Sequence, residues 1–217
     1  MNFYDAFSRF GLSSFQKQMR LANLIKGSRW SMDYTKGILW LEDLGQVPVE
    51  IFGTWSSYDK SWLWAWANES LQKSPIGASL EIFSYGKTEG IPELTAEEID
   101  LQNGNPHEIA MVASEILGGF GYFRCPYDGG AGFVIIRKWP FEPVQETIPA
   151  GEAVSVALDF FNKFSCNHRL ALDFFLKEKH FRVVYENDSL TAHDIEGRSL
   201  SATFDQSGNL LVIENDV

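Results

Sequence analysis

The heptapeptide Trp62-Leu63-Trp64-Ala65-Trp66-Ala67-Asn68 is the strongest constraint in the sequence. Large and small side chains alternate with period two. A strand over residues 62–67 therefore puts all three indoles on one face and Leu63, Ala65 and Ala67 on the other. Two readings of that row follow. In one, the indoles are a core row beneath helices, where each ring N–H needs a hydrogen-bond partner. In the other, they form an aromatic platform for a ring-shaped ligand such as a sugar or a base. Both need a sheet with a covered face. The chain can supply the cover, since 45% of its 217 residues are hydrophobic and 17 are Phe. A chain of this length buries roughly 70% of its unfolded surface without disulfides or metals.

The segments around the row define the expected fold class. Phe3, Phe7 and Phe10 have helical spacing before Gly11, and Ser13 with Gln16 makes a capping-box pattern that opens a further stripe of Phe15, Met19 and Ala22. From residue 30 the period changes to two, predicting strands over 30–34, 38–41, 49–55 and 62–67. Their connections are too short for parallel crossovers, so the strands are expected to pair antiparallel. Ser74-Pro75 predicts a helix start whose apolar face carries Leu80 and Phe83. Thr95 with Glu98 predicts a short acidic turn. Asn105-Pro106 opens a helix with Ile109, Val112, Ala113 and Ile116 on its inner face, which leaves His107 exposed in the first turn. Residues 121–125 and 132–138 read as a hairpin around Pro126-Tyr127-Asp128-Gly129-Gly130.

Residues 139–149 hold three prolines and no periodicity, and mark the expected domain boundary. Beyond them come a helix from about Glu152, a restart at Asn167, and four short strands over 181–186, 189–194, 200–205 and 210–214. Asn187-Asp188 and Ser207-Gly208-Asn209 are the expected hairpin turns. The reading is an α+β protein. An N-terminal helix lies on an antiparallel sheet with additional helices, followed by a smaller helix plus β-meander unit. The expected division is a Trp-rich domain over 1–145 and a C-terminal unit over 146–217, with one continuous domain as the alternative.

The Trp62–Asn68 string resembles the signature of an uncharacterised bacterial family, a domain of unknown function marked by a Trp-Leu-Trp-Ala-Trp-Ala-Asn strand. Residues 33–41 and Phe52-Gly53-Thr54-Trp55 are similar to its earlier strands. Gly121-Tyr122-Phe123-Arg124-Cys125-Pro126 resembles its late Tyr-Arg-x-Pro strand, with Phe123 standing between the Tyr and the Arg. The resemblance spans about residues 1–138 and leaves 150–217 outside. It implies a small soluble bacterial α+β domain and no established activity, and it supplies no catalytic residues.

Charge and chemistry narrow the function classes. Eighteen Lys+Arg against 29 Asp+Glu give a net charge of −11. A protein that tracks phosphates needs a basic face, so nucleic acid is not an expected partner. The apolar runs, such as residues 133–136, are far shorter than the ~18 residues of a membrane span. No signal-peptide pattern opens the chain, and two cysteines, Cys125 and Cys166, suit a reducing compartment, so the expected location is the cytoplasm. His107, His168, His180 and His193 have no metal-ligand spacing, and no metal or cofactor is expected. Gly129-Gly130-Ala131-Gly132 lies between strands and does not open a helix, which is unlike a phosphate cradle. The chain is expected to be a non-catalytic protein-binding or accessory module, of the immunity type, whose acidic surface meets a basic partner. Glu93, Glu97, Glu98 and Asp100 are the candidate docking patch. The alternative is a small-molecule-binding or hydrolytic domain with a pocket lined by Trp62, Trp64, Trp66, Tyr122 and Arg124.

Overall fold

A computed structural model describes residues 1–102, 104–141 and 147–216. By contact these divide into two compact units, residues 1–3 with 17–143 and residues 4–16 with 144–217. The fold class is α+β, with antiparallel pairing throughout the described sheets.

Helix α1 runs unbroken over Phe3–Leu24. The pattern at Ser13 and Gln16 is therefore helix interior, not a second start. Gly11 stays helical because its missing Cβ leaves room for Phe160, whose ring carbon would lie 2.7 Å from one.

In the first unit, β1 (Trp30–Asp33), β2 (Ile38–Leu41) and β3 (Gly45–Pro48) form a three-stranded meander of their own. The sequence pattern does not show β3, and it runs the meander together with the next sheet. That second sheet has β4 (Glu50–Ser56), β5 (Ser61–Trp64), β6 (Glu98–Asp100), β7 (Gly121–Tyr127) and β8 (Gly130–Ile136), in the order β6-β5-β4-β8-β7. β6 replaces the acidic turn expected after Thr95. Alternation gives the sheet two faces. Val49, Ile51, Val134 and Ile136 pack with Leu39, Leu41 and Val47 of the meander and with Leu21 of α1. The opposite face meets α2 (Gly77–Glu89) and α3 (Pro106–Ile116).

The start of α2 differs from the sequence reading. Its N-cap is Ile76, not Ser74, and makes no side-chain cap bond. Glu50 of β4 does that work instead: its Oε2 accepts the Ala78 N–H at 2.9 Å. The other oxygen of Glu50 accepts Arg137 Nε at 2.8 Å, while the same guanidinium donates to Glu81 of α2 and to the Leu117 carbonyl at the end of α3. One ion-pair network thus ties the sheet to both helices. With α2 held this way, Ala78, Ser79, Ile82 and Gly86 face inward, and Leu80 is exposed. At α3, Asn105 caps the His107 N–H as the sequence indicates.

The second unit has α4 (Ala150–Phe161), α5 (His168–Glu178) and a four-stranded meander of β9 (Arg182–Glu186), β10 (Ser189–His193), β11 (Ser199–Phe204) and β12 (Leu210–Asn215). The strand order is β12-β11-β10-β9, so β9 and β12 are its edges. Leu190, Ala192, Leu200, Ala202 and Phe204 form its inner face. Phe7 and Phe15 of α1 pack on Phe160 and Phe164 in the same unit. Of the proline-rich connector, residues 142–146 lie outside the described residues.

Pro149 at the N-cap of α4 has no side-chain donor or acceptor to offer. Asp194, buried after β10, reaches the orphaned Ala150 N–H at 3.2 Å and also accepts from the backbone of Glu196 and Arg198 and from Arg198 Nε. Burial pushes its carboxyl up, but the Arg198 guanidinium and these three N–H groups outweigh it and hold the group below the usual range. Asp194→Ala removes a helix cap and a set of charge-assisted bonds. We expect it to lower stability by about 2 kcal/mol, read as an earlier midpoint in urea unfolding at neutral pH.

Candidate functional site

The tryptophan row is built by β5 and ends with it. Trp62 and Trp64 point to one face of the five-stranded sheet and have no exposed surface. Ala65, Trp66 and Ala67 are a turn, closed by the Ala67 N–H on the Trp64 carbonyl. The strand expected through residue 67 thus stops early, because Asn68 caps the short helix Glu69–Leu71 and needs the chain to turn. Trp66 leaves the row, lies half-buried and packs on Phe83 of α2 at 4.8 Å.

Trp62 sits among Phe133 at 4.9 Å, Trp64 at 5.4 Å and Phe52 at 5.9 Å. Space for it comes from Gly53 on the neighbouring strand. A Cβ there would lie 2.1 Å from a carbon of the Trp62 six-membered ring. Trp64 donates its ring N–H to the Glu93 carbonyl at 3.0 Å. The ring N–H groups of Trp62 and Trp66 are buried without a hydrogen-bond partner.

Tyr122 of β7 continues this aromatic layer and is also buried. Its hydroxyl lies 2.8 Å from Nδ1 of His107, whose ring meets Phe133 at 5.7 Å. His107 is therefore half-buried, not exposed as its place in a first helical turn suggests. Burial, helped by the nearby Arg124 charge, lowers the imidazole pKa, and burial raises that of Tyr122. Neutral forms of both are favoured, so the pair is a hydrogen bond between uncharged groups, with the tautomer of the imidazole deciding which one donates. Burial also raises the pKa of the neighbouring Glu108. Arg124 lies half-buried on β7.

The acidic residues fall on and beside an edge strand. Glu98 and Asp100 belong to β6, which among the described residues pairs only with β5, through Leu63↔Glu98 and Ser61↔Asp100. Glu97, Glu98 and Asp100 are exposed, and among the described residues none of the three forms an ion pair. Glu93 is half-buried, and its backbone carbonyl serves Trp64.

Both cysteine thiols are buried, and burial pushes each up to about 12. They stay protonated at neutral pH and are poor nucleophiles. Among the described residues no group of three His, Cys, Asp or Glu is placed to hold a metal ion, and no helix is long and apolar enough to cross a membrane. A surface groove of about 480 Å³ runs along Phe83, Gly86, Lys87 and Ile91. Another of about 410 Å³ lies between Phe161, His168 and β12. Neither is lined by Trp62, Trp64, Tyr122 or Arg124.

Sequence reasoning missed the His107–Tyr122 pair and the Glu50–Arg137 pair. Their members stand 15 and 87 positions apart. No local spacing carries such a signal. Residues 5–139, well over half of the chain, match the model of a family of unknown function. Comparison with curated proteins and with solved structures yields no match.

Two outcomes test this layer. Trp64→Ala leaves a cavity and orphans the Glu93 carbonyl, and should cost roughly 3–5 kcal/mol. Gly53→Ala, which drives a methyl into Trp62, should cost about 1–3 kcal/mol. Chemical denaturation measures both. For His107, the folded pKa is depressed, so the unfolded chain takes up the proton first as pH falls. Stability should decline from the unfolded value of about 6.5 downward until pH passes below the folded pKa. Denaturation between about pH 7.5 and about pH 5 should show a smaller decline in His107→Gln than in the parent.

Proposed function

The chain belongs to that family, DUF6882, and we propose that it serves as a non-catalytic protein-binding or accessory module of the immunity type in the bacterial cytoplasm. The observation that carries this reading is the contrast between the two sides of β5. Toward the helices, Trp62 and Trp64 fill a closed core. Along the sheet edge, β6 has among the described residues one strand partner only, and it is flanked by exposed carboxylates that form no ion pair there. A partner with a basic surface satisfies both, pairing with the edge and neutralising Glu97, Glu98 and Asp100. The net charge of −11 favours encounter with such a partner over the whole surface.

One observation favours the small-molecule reading. Trp66 is half-buried against Phe83, and Phe83 lines a groove beside the end of α2. That reading takes a ring-shaped ligand at Phe83 and Lys87, outside the sealed part of the row. The two separate by experiment. Affinity capture from the native host, with Glu97→Gln/Glu98→Gln/Asp100→Asn as the paired bait, should retain a basic protein on the parent and lose it on the variant. Equal capture by both baits, or none by the parent, would overturn the docking reading.

A further inference from the structure

We propose that a second copy of this chain pairs with the β9 edge of the second unit, strand against strand across a twofold axis, to make one continuous eight-stranded sheet. β9 is a free edge of the described four-stranded sheet, and Arg182, Val184, Tyr185 and Glu186 are all exposed on it. An edge with open N–H and C=O groups is a template for another strand unless charge, proline or cover blocks it. The β9 sequence, Arg-Val-Val-Tyr-Glu, carries no proline and places its two charges so that they attract a copy of themselves.

The register follows from the hairpin. Asn187 and Asp188 form a two-residue turn between Glu186 and Ser189, with Asn187 at a positive φ of 49°. In such a hairpin the flanking pair, Glu186 and Ser189, exchanges both backbone bonds. Glu186, Val184 and Arg182 thus turn their backbone groups toward β10. Val183 and Tyr185 turn theirs outward. A twofold pair must match outward residues with outward residues. Centring it on Val184 sets Val183 opposite the copy's Tyr185, and gives two hydrogen-bonded pairs. The same centring sets Arg182 opposite the copy's Glu186 at both ends, and Val184 opposite itself at the close, non-bonded position. Among the described residues neither Arg182 nor Glu186 has an ion-pair partner within the chain. Tyr185 is already held in place, its hydroxyl bonded to Asp173 and its ring beneath Lys177.

The other edge is not self-complementary. β12 is more apolar, with Leu211 and Val212 exposed, but a twofold pairing centred on Val212 or Ile213 puts Glu214 opposite Leu210 or Val212. A β9–β12 pairing is heterologous and would extend without closing.

Sedimentation across micromolar concentrations reads the result. The parent chain should show a monomer–dimer equilibrium. Arg182→Glu and Glu186→Arg should each raise its dissociation constant about tenfold or more, because each faces like charges at both ends. The double reversal Arg182→Glu/Glu186→Arg restores opposite charges and should restore the dimer. Both side chains are exposed, so thermal melts of the variants should match the parent at concentrations well below its dissociation constant, where both are monomeric. A parent that stays monomeric, a dimer indifferent to Arg182→Glu, or a double reversal that fails to re-associate overturns the proposal. So does a dimer dissolved by Leu211→Lys, which would place the contact at β12.

Discussion

The contact between Trp62 and the backbone of Gly53 sets the geometry of the larger sheet. An indole cannot lie flat on a neighbouring strand if that strand carries a side chain at the contact point. Gly53 removes the obstacle, and Trp62 then reaches Phe133 two strands away. From there the layer passes to Tyr122 and His107, and through the Trp64 ring N–H to the segment after α2. Much of what lies beneath α2 and α3 depends on one missing methyl group. Packing at this density tolerates little change of volume, since a cavity and an overpacked ring both destabilise.

The starts of α2 to α5 are satisfied from two sources. α3 and α5 are capped by their own Asn105 and Asn167. α2 and α4 have no such residue at the N-cap, and acidic side chains from strands or turns far along the chain reach their free N–H groups. Glu50 serves α2 and Asp194 serves α4. The carboxylate also meets the positive end of the helix dipole, which makes it a better partner there than a neutral cap. The remote caps link elements that the chain does not place side by side, so they act as tertiary contacts as well as local ones.

Three of the sheet edges differ in the charge they carry. The indole face is closed, and the buried thiols are held protonated by the surrounding apolar atoms. Among the described residues β6, β9 and β12 each pair with one neighbouring strand. β6 carries acids on or beside it, β9 carries one charge of each sign, and β12 is largely apolar. The three edges thus differ in charge and polarity, while the backbone groups of their strands are the same in kind.

Period and punctuation were enough to place most elements. Alternation marked β1, β2 and β4. Asn105-Pro106 marked the start of α3, and Asn187-Asp188 marked the turn between β9 and β10, because the physics involved is local. The errors arose where distant residues decide. Ala65 to Ala67 alternate like a strand, yet they turn, and the Trp66 N–H goes to the Ser79 hydroxyl of α2. Thr95 to Glu98 look like a helix start, yet β5 recruits residues 98–100 as a ladder partner. Ser13 looks like a cap, yet Gly11 passes through the helix because Phe160 fills the space its side chain would occupy. The same limit hid His107 and Tyr122, whose meeting depends on the distance between α3 and β7. Local pattern alone yields the α+β class, the order of most elements and the alternation that sends Trp62 and Trp64 to one face. That this face is buried, that Trp66 leaves it and which strands are edges came from the packing of the whole chain. Burial and strand pairing are set by what packs alongside, and a local pattern holds no record of that.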